Sequence, residues 1–217
     1  MLEDRLNNIR KELPPGVCLV AVSKFHPSEA IMEAYSAGAR CFGESRPQEL
    51  KAKAESLPKD IRWHFIGHLQ TNKLKMVLPY AEMVESVDSL HLLEAIEKWG
   101  IDNNRLCEVL LEMHIASEES KQGLSEEEIL EILRMPWKAV RLRGLMGMAT
   151  NTSDESVIRS EFKRISEFKA RIENDFPSLE GFDQLSIGMS SDWKLALPYG
   201  ATIVRIGTAI FGERNYI

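Results

Sequence analysis

Lys24 follows the apolar run Val-Cys-Leu-Val-Ala-Val-Ser over residues 17–23 and precedes a Phe-His-Pro turn. A lysine at the end of such a strand is either solvated at the rim or turned into the mouth of a barrel. In the second position burial lowers the pKa of its amine and makes it a nucleophile able to form a Schiff base with a carbonyl. At the other end of the chain two glycine-bearing segments follow strands, Ser186-Ile-Gly-Met-Ser-Ser-Asp192 and Arg205-Ile-Gly-Thr208. Glycine lets a backbone approach a phosphate closely, and the freed N–H groups point at its oxygens. Ser190 and Thr208 add hydroxyl donors, with Gly207 as the close-approach residue. Each glycine taken alone is equally well explained by a tight turn. A Walker loop is absent, because Gly212 is followed by Glu213-Arg214 instead of Lys-Ser/Thr.

Placing these groups together requires a particular scaffold. Short β-branched runs alternate with helix-period segments, the pattern of βαβ units around a parallel sheet. Strands are read at Val17–Lys24, Cys41–Ser45, Trp63–Gly67, Met83–Val87, Cys107–His114, Val140–Met148, Phe182–Met189 and Thr202–Gly207. Among the intervening helices, Ser28–Gly38 ends on glycine, Ser125–Arg134 begins with the capping-box pattern Ser125-Glu-Glu-Glu128, and Ser153–Asp175 is the longest. Val157, Ile158, Phe162, Ile165, Phe168 and Ile172 form the inward stripe of that long helix. Eight such units predict an α/β fold, a single-domain (β/α)8 TIM barrel over residues 1–217, near the lower size limit of that architecture. An open doubly wound sheet is the alternative. Too little chain follows the eighth strand for a full covering helix. The N-terminal helix Leu2–Leu13, with Leu2, Leu6, Ile9 and Leu13 as its apolar stripe, is expected to cover that gap. In such a barrel Lys24 ends strand one, and the two glycine loops are loops seven and eight, where phosphate usually binds.

Composition narrows the function. The chain has 217 residues, with 27 Lys and Arg against 33 Asp and Glu, a net charge of −6. That balance argues against nucleic acid or an anionic membrane as partner. No apolar run reaches the length of a membrane span, and the N-terminus lacks a signal-peptide core, so a cytoplasmic location is expected. Cys18, Cys41 and Cys107 lie far apart and are expected as core thiols. His64 and His68 stand four apart, about 13 Å along one face of a strand, too far to share a metal; packing in the core or mouth is expected of them. Arg40, Arg141 and Arg143 are expected as surface charges flanking strands.

A nucleophilic lysine on strand one facing a phosphate cradle on strands seven and eight suggests a phosphorylated aldehyde across the barrel mouth, pyridoxal 5'-phosphate being the obvious candidate. The sequence also resembles the pyridoxal phosphate homeostasis protein family, whose barrel is like the N-terminal domain of alanine racemase. The resemblance runs through Ala21–Lys24 (AVSK), Phe42–Ser45 (FGES), Trp63–Lys73 (WHFIGHLQTNK), Glu85–Ser89 (ESVDS), Glu119–Gly123 (ESKQG), Arg143–Thr150 (RGLMGMAT), Leu185–Trp193 (LSIGMSSDW) and Arg205–Arg214 (RIGTAIFGER).

It implies that Lys24 is the Schiff-base lysine and that Ser190, Gly207 and Thr208 hold the phosphate. Arg205, two residues before Gly207 and so on the same strand face, matches the arginine facing the pyridine nitrogen in racemase-like barrels. An always-protonated donor there favours an unprotonated ring nitrogen and weakens the ring as an electron sink. Ser45 departs from the family's Phe-Gly-Glu-Asn, and its shorter side chain loses reach toward the cofactor. Lys121 matches the lysine of the family's Glu-x-x-Lys-x-Gly pattern near the mouth.

The implied function is that of a monomeric carrier holding pyridoxal phosphate for other enzymes, with transient contact to apo forms of those enzymes and without substantial turnover. The alternatives are a pyridoxal-phosphate-dependent amino-acid racemase and a Schiff-base aldolase acting on a phosphorylated sugar. Racemisation needs a base on each face of the substrate Cα, and alanine racemase takes its second, a tyrosine, from the partner subunit's β-domain. No such domain is expected in the sequence, which runs to Ile217, so binding is expected over turnover.

Overall fold

The computed structural model describes residues 1–116 and 123–213. Eight parallel strands close into a barrel in sequence order: β1 (Cys18–Val22), β2 (Cys41–Glu44), β3 (Arg62–Phe65), β4 (Ala81–Val87), β5 (Cys107–Glu112), β6 (Val140–Met146), β7 (Gln184–Met189) and β8 (Ile203–Ile206). Closure is made by β1 pairing with β8, Val20 opposite Arg205 and Ala21 opposite Ile206. The expected barrel is therefore present, and the open sheet is not.

Around it run α1 (Leu2–Glu12), α2 (Ser28–Ser36), α3 (Pro47–Ser56), α4 (Leu74–Val77), α5 (Leu90–Asp102), α6 (Glu126–Leu133), α7 (Glu155–Asp175), α8 (Trp193–Ala196) and α9 (Thr208–Phe211). Helix α1 lies against α2 and α9. It buries Leu2, Leu6 and Ile9, while Leu13 is half-buried as its C-cap, and Arg5 Nε donates to the Ile210 carbonyl at 2.7 Å. The short last helix is thus covered by the first. Helix α6 carries the expected capping box, Ser125 Oγ accepting from Glu128 N and Glu128 Oε2 from Ser125 N.

Strands end earlier at their C-terminal edge than the apolar runs do: β1 stops at Val22, two residues before Lys24, and β6 at Met146. The chain peels away there to form the mouth, so apolar character outlasts ladder pairing. Helix α7 begins at Glu155 behind the cap Asp154, and Val157 is half-buried rather than part of the inward stripe. Glu161 is buried on that stripe instead. Its carboxylate accepts from Thr150 N at 2.7 Å and Thr150 Oγ1 at 2.6 Å, which ties the loop after β6 to the helix.

One apolar layer fills the barrel itself: Val20, Val22, Cys41, Met83, Leu110, Met146 and Ile203. A larger core packs the helices on the outside. Cys41 and Cys107 are buried as expected, but Cys18 is half-buried at the foot of the barrel, where β1 begins. Arg143 is more than a surface charge. It bridges Glu108 on β5 and Asp183 ahead of β7, at 2.9 and 3.3 Å.

Candidate functional site

Lys24 lies in the turn leaving β1 and is half-buried. Val20 and Val22 belong to the interior layer, and Lys24 follows two residues beyond the end of β1. The turn is closed by His26 N donating to the Ser23 carbonyl at 3.0 Å. Phe25 within it has φ of 67°, a left-handed conformation uncommon for a bulky side chain.

Several contacts hold that conformation. Phe25 N donates to Glu49 Oε2 at 3.0 Å, the Arg46 guanidinium lies 4.3 Å from the Phe25 ring centroid, and His26 stacks on Phe211 of α9 at 4.9 Å. Beneath the turn, Glu44 Oε1 accepts from Ser23 Oγ at 2.6 Å and from Lys53 Nζ at 2.8 Å, and Lys53 also donates to the Ser23 carbonyl at 3.0 Å. Burial pushes the Glu44 carboxyl above its ordinary value against the opposing pull of Lys53 and Ser23. This network anchors the base of Lys24. The sequence carried only a faint signal of it, the Glu of Phe-Gly-Glu-Ser.

The two glycine loops meet. Gly207 N donates to Ser190 Oγ at 3.1 Å, joining the loop after β7 to the end of β8. A Cβ on Gly207 would stand 3.2 Å from the Val22 carbonyl and 3.3 Å from Val22 Cβ, so the glycine lets the end of β8 lie against the end of β1. Gly188, at φ 93°, has no room for a side chain either, because Trp193 Cα would lie 2.8 Å from it. Asp192 Oδ1 accepts from Met189 N at 2.5 Å and sets the path of the β7 loop. Thr208 is exposed at the start of α9. A cavity of 760 Å³ opens beside this cradle, between the loops after β6 and β7. Ser190 lines it together with Thr150, Ser191 and Trp193. Lys24 lies on the other side of the cradle, and the β1–β8 seam connects the two.

Arg205 is buried in the barrel, on the same face as Ile203 of the interior layer. Its Nη1 donates to the Ser186 carbonyl at 2.8 Å and to Ser186 Oγ at 2.5 Å, and its Nη2 to the Gly147 carbonyl at 3.0 Å. Ser186 Oγ in turn donates to Glu85 Oε2 at 2.5 Å, which stands 3.7 Å from Arg205 Nη1. Glu85 Oε1 meets His64 Nδ1 at 2.5 Å. Burial alone would push the Glu85 carboxyl up, but the hydrogen bond and charge of His64, with Arg205 behind them, hold it below its usual value. His64 is affected in the opposite sense, burial lowering its pKa and Glu85 raising it to a net increase. A four-residue polar chain therefore crosses the interior and fixes the guanidinium. The sequence reading placed Arg205 there but missed Glu85 and Ser186, whose inward positions become evident only once the strands are in register.

Other expected residues fall as follows. His68 is half-exposed beyond β3, its Nδ1 2.9 Å from Asp88 Oδ2. Ser45 packs against Gly67, where a Cβ would stand 2.7 Å from the Ser45 Cβ. Lys121 lies outside the described residues. Among the described residues, no group of three or more His, Cys, Asp or Glu side chains is arranged to hold a metal ion.

Comparison with known proteins agrees with this architecture. A family model of the alanine racemase N-terminal domain matches residues 1–215. The chain is 40% identical over 212 residues to the pyridoxal phosphate homeostasis protein of Vibrio alginolyticus, covering 94% of this chain and 89% of that one. It is 37% identical over 205 residues to the protein of the same name from Schizosaccharomyces pombe, covering 92% and 85%. Among solved structures, PipY of Synechococcus elongatus with PLP bound superposes with a TM-score of 0.88 at 35% identity, covering 98% of this chain and 100% of that one. An alanine racemase of Clostridium difficile, 14% identical, shares the fold at a TM-score of 0.76 over 99% of this chain and 56% of its own. The chain belongs to the pyridoxal phosphate homeostasis protein family, within the group that shares the alanine racemase N-terminal domain.

Proposed function

We propose that this protein holds pyridoxal 5'-phosphate at the mouth of its barrel, with Lys24 as the Schiff-base lysine, and keeps the cofactor for use by other enzymes without substantial turnover of its own. The observation that carries the reading is the junction of β1 and β8, where Gly207 packs on Val22, its N–H reaches Ser190, and the buried Arg205 stands one inward position below. The residues fit the cofactor. Ser190, Gly207 and Thr208 form a cradle suited to a phosphate, with the neighbouring Asp192 carboxylate turned back onto Met189 N. Arg205 offers a fixed donor for a ring nitrogen, and Lys24 leaves the neighbouring strand end. Bound pyridoxal phosphate supplies an aldehyde to a lysine amine and, in enzymes, an electron sink for carbanions. With Arg205 rather than a carboxylate at the ring nitrogen the sink is weak, which favours storage over catalysis.

The same reading takes the 217 residues as one barrel domain, monomeric and cytoplasmic, meeting apo enzymes transiently and binding neither nucleic acid nor membrane. No helix among the described residues is long and apolar enough to cross a membrane. The test is borohydride reduction of the loaded protein followed by peptide mass spectrometry. The adduct is expected on Lys24 and is lost, with the visible absorption band, in Lys24→Ala. An adduct found mainly on Lys73 or Lys121 would overturn the assignment.

A further inference from the structure

Glu112 ends β5, the strand diametrically opposite β1 in an eight-stranded barrel, so its side chain and that of Lys24 start from opposite sides of one mouth. Its register partner on β6, Met146, and Leu110 two residues earlier both belong to the interior layer, which places the Glu112 carboxyl on the inward face. The residue is 5% exposed, and its carboxylate has no hydrogen-bond donor among the described residues. Asp88, just beyond β4, adds a second carboxylate to the same side of the mouth. Its side chain is 9% exposed, and Oδ2 meets His68 Nδ1.

We propose that Glu112 and Asp88 form a subsite for a primary ammonium group that enters the barrel mouth opposite Lys24. Among the described residues, the charged groups acting on Glu112 are Asp88 beyond β4, His68 beyond β3 and Arg205 on β8, while β6 presents the uncharged Met146. The two cationic groups do not neutralise the pair. His68 is half-exposed and bound to Asp88, and Arg205 is committed to Ser186, Gly147 and Glu85. Burial first, and then the negative charge of Asp88, push the Glu112 carboxyl up to about 7. A buried carboxyl in that state accepts a cation readily once ionised. An ammonium group supplies the N–H donors that Glu112 lacks and a positive charge to balance the pair. Among the described residues, Glu112, Asp88 and His68 are not arranged as a group that could hold a metal ion.

In combination with the proposed function the subsite acquires a meaning. The compound that takes a cofactor from a lysine is itself a primary amine, and this pair would hold its ammonium group across from Lys24. The source of the amine is either a free small molecule or the lysine side chain of another protein.

Binding is measured without cofactor, by calorimetry and by carbon-13 NMR of the Glu112 carboxyl, with n-propylammonium, a lysine-containing peptide and tetramethylammonium as probes. n-Propylammonium is expected to bind about tenfold more tightly at pH 8 than at pH 6, because ionised Glu112 rises roughly tenfold over that span. It is also expected to lower the pH at which the Glu112 carboxyl titrates. Glu112→Gln and Asp88→Asn each weaken it by about tenfold or more. Tetramethylammonium, of equal charge but without N–H groups, binds more weakly. Tighter binding of the peptide identifies a protein lysine as the source, and tighter binding of n-propylammonium a free amine. The proposal is overturned if the carboxyl titration does not move, if tetramethylammonium binds as well as n-propylammonium, or if both substitutions leave binding unchanged. Since no pyridoxal phosphate is present, failure here is distinct from failure of the Lys24 assignment.

Discussion

Replacing Glu85 by glutamine is the sharpest probe of the polar chain inside the barrel. Glutamine keeps the shape and one acceptor oxygen, so it can still receive Ser186 Oγ and offer an amide N–H to a neutral His64. What it removes is the negative charge 3.7 Å from Arg205 Nη1 and in contact with His64 Nδ1. Removing one partner of a buried ion pair typically costs 3–5 kcal/mol. Since glutamine retains the hydrogen-bonding shape, the lower end applies, about 3 kcal/mol. For a domain of this size that corresponds to a fall in Tm of about 6–12 °C.

The pH dependence follows from the two shifts. His64 is raised in the folded protein, so its contribution is complete below the free imidazole value of about 6.5 and is lost as pH rises through the folded value. Glu85 is lowered, so its contribution is complete above the free carboxyl value of about 4.3 and is lost as pH falls through the folded value. The penalty of Glu85→Gln is therefore largest between about pH 4.3 and 6.5. Urea unfolding of both proteins at pH 5.5 and 9 measures it. A penalty below about 1 kcal/mol at pH 5.5, or one that grows toward pH 9, would refute the reasoning.

Two further outcomes test the proposed cofactor site. Ser190→Ala combined with Thr208→Ala is expected to weaken pyridoxal phosphate far more than pyridoxal, by roughly 10- to 100-fold for each charge-assisted hydrogen bond lost; equal weakening of both ligands would place the phosphate elsewhere. Incubation with L-alanine in deuterated water is expected to show slow Cα exchange with configuration retained, because each positioned base is worth about 10²–10⁴ in rate and Lys24 is the one base assigned here. Rapid exchange with accumulating D-alanine, abolished by Lys24→Ala, would favour a racemase.

The strands and the mouth residues were legible in the sequence because both obey local rules. β-Branched runs announce strands, and a glycine or lysine at the end of such a run lies at the barrel's functional edge. The strand ends were not legible, since nothing in the run over residues 17–23 marks where pairing stops, whereas the turn at Lys24 and Phe25 is held by Glu49, Arg46 and the Ser23–Glu44–Lys53 network from other elements. Interior charges were hidden for the same reason. Glu85 sits in an ordinary Glu-Ser-Val-Asp stretch, and nothing within that stretch tells which carboxylates face a barrel axis. The answer depends on register: Ser186 comes from 101 residues away, and His64 approaches from β3 across a ladder whose register shifts beside it.

Glu112 illustrates the limit from the opposite direction. In sequence it looks like the polar end of an apolar strand, a residue expected to reach water. Closure of the barrel turns it inward instead, where its protonation is governed by burial and Asp88. Residues that stand in a local motif at a strand end are thus readable from one dimension, whereas those that set charge inside the barrel exist as a group only after β8 has closed onto β1.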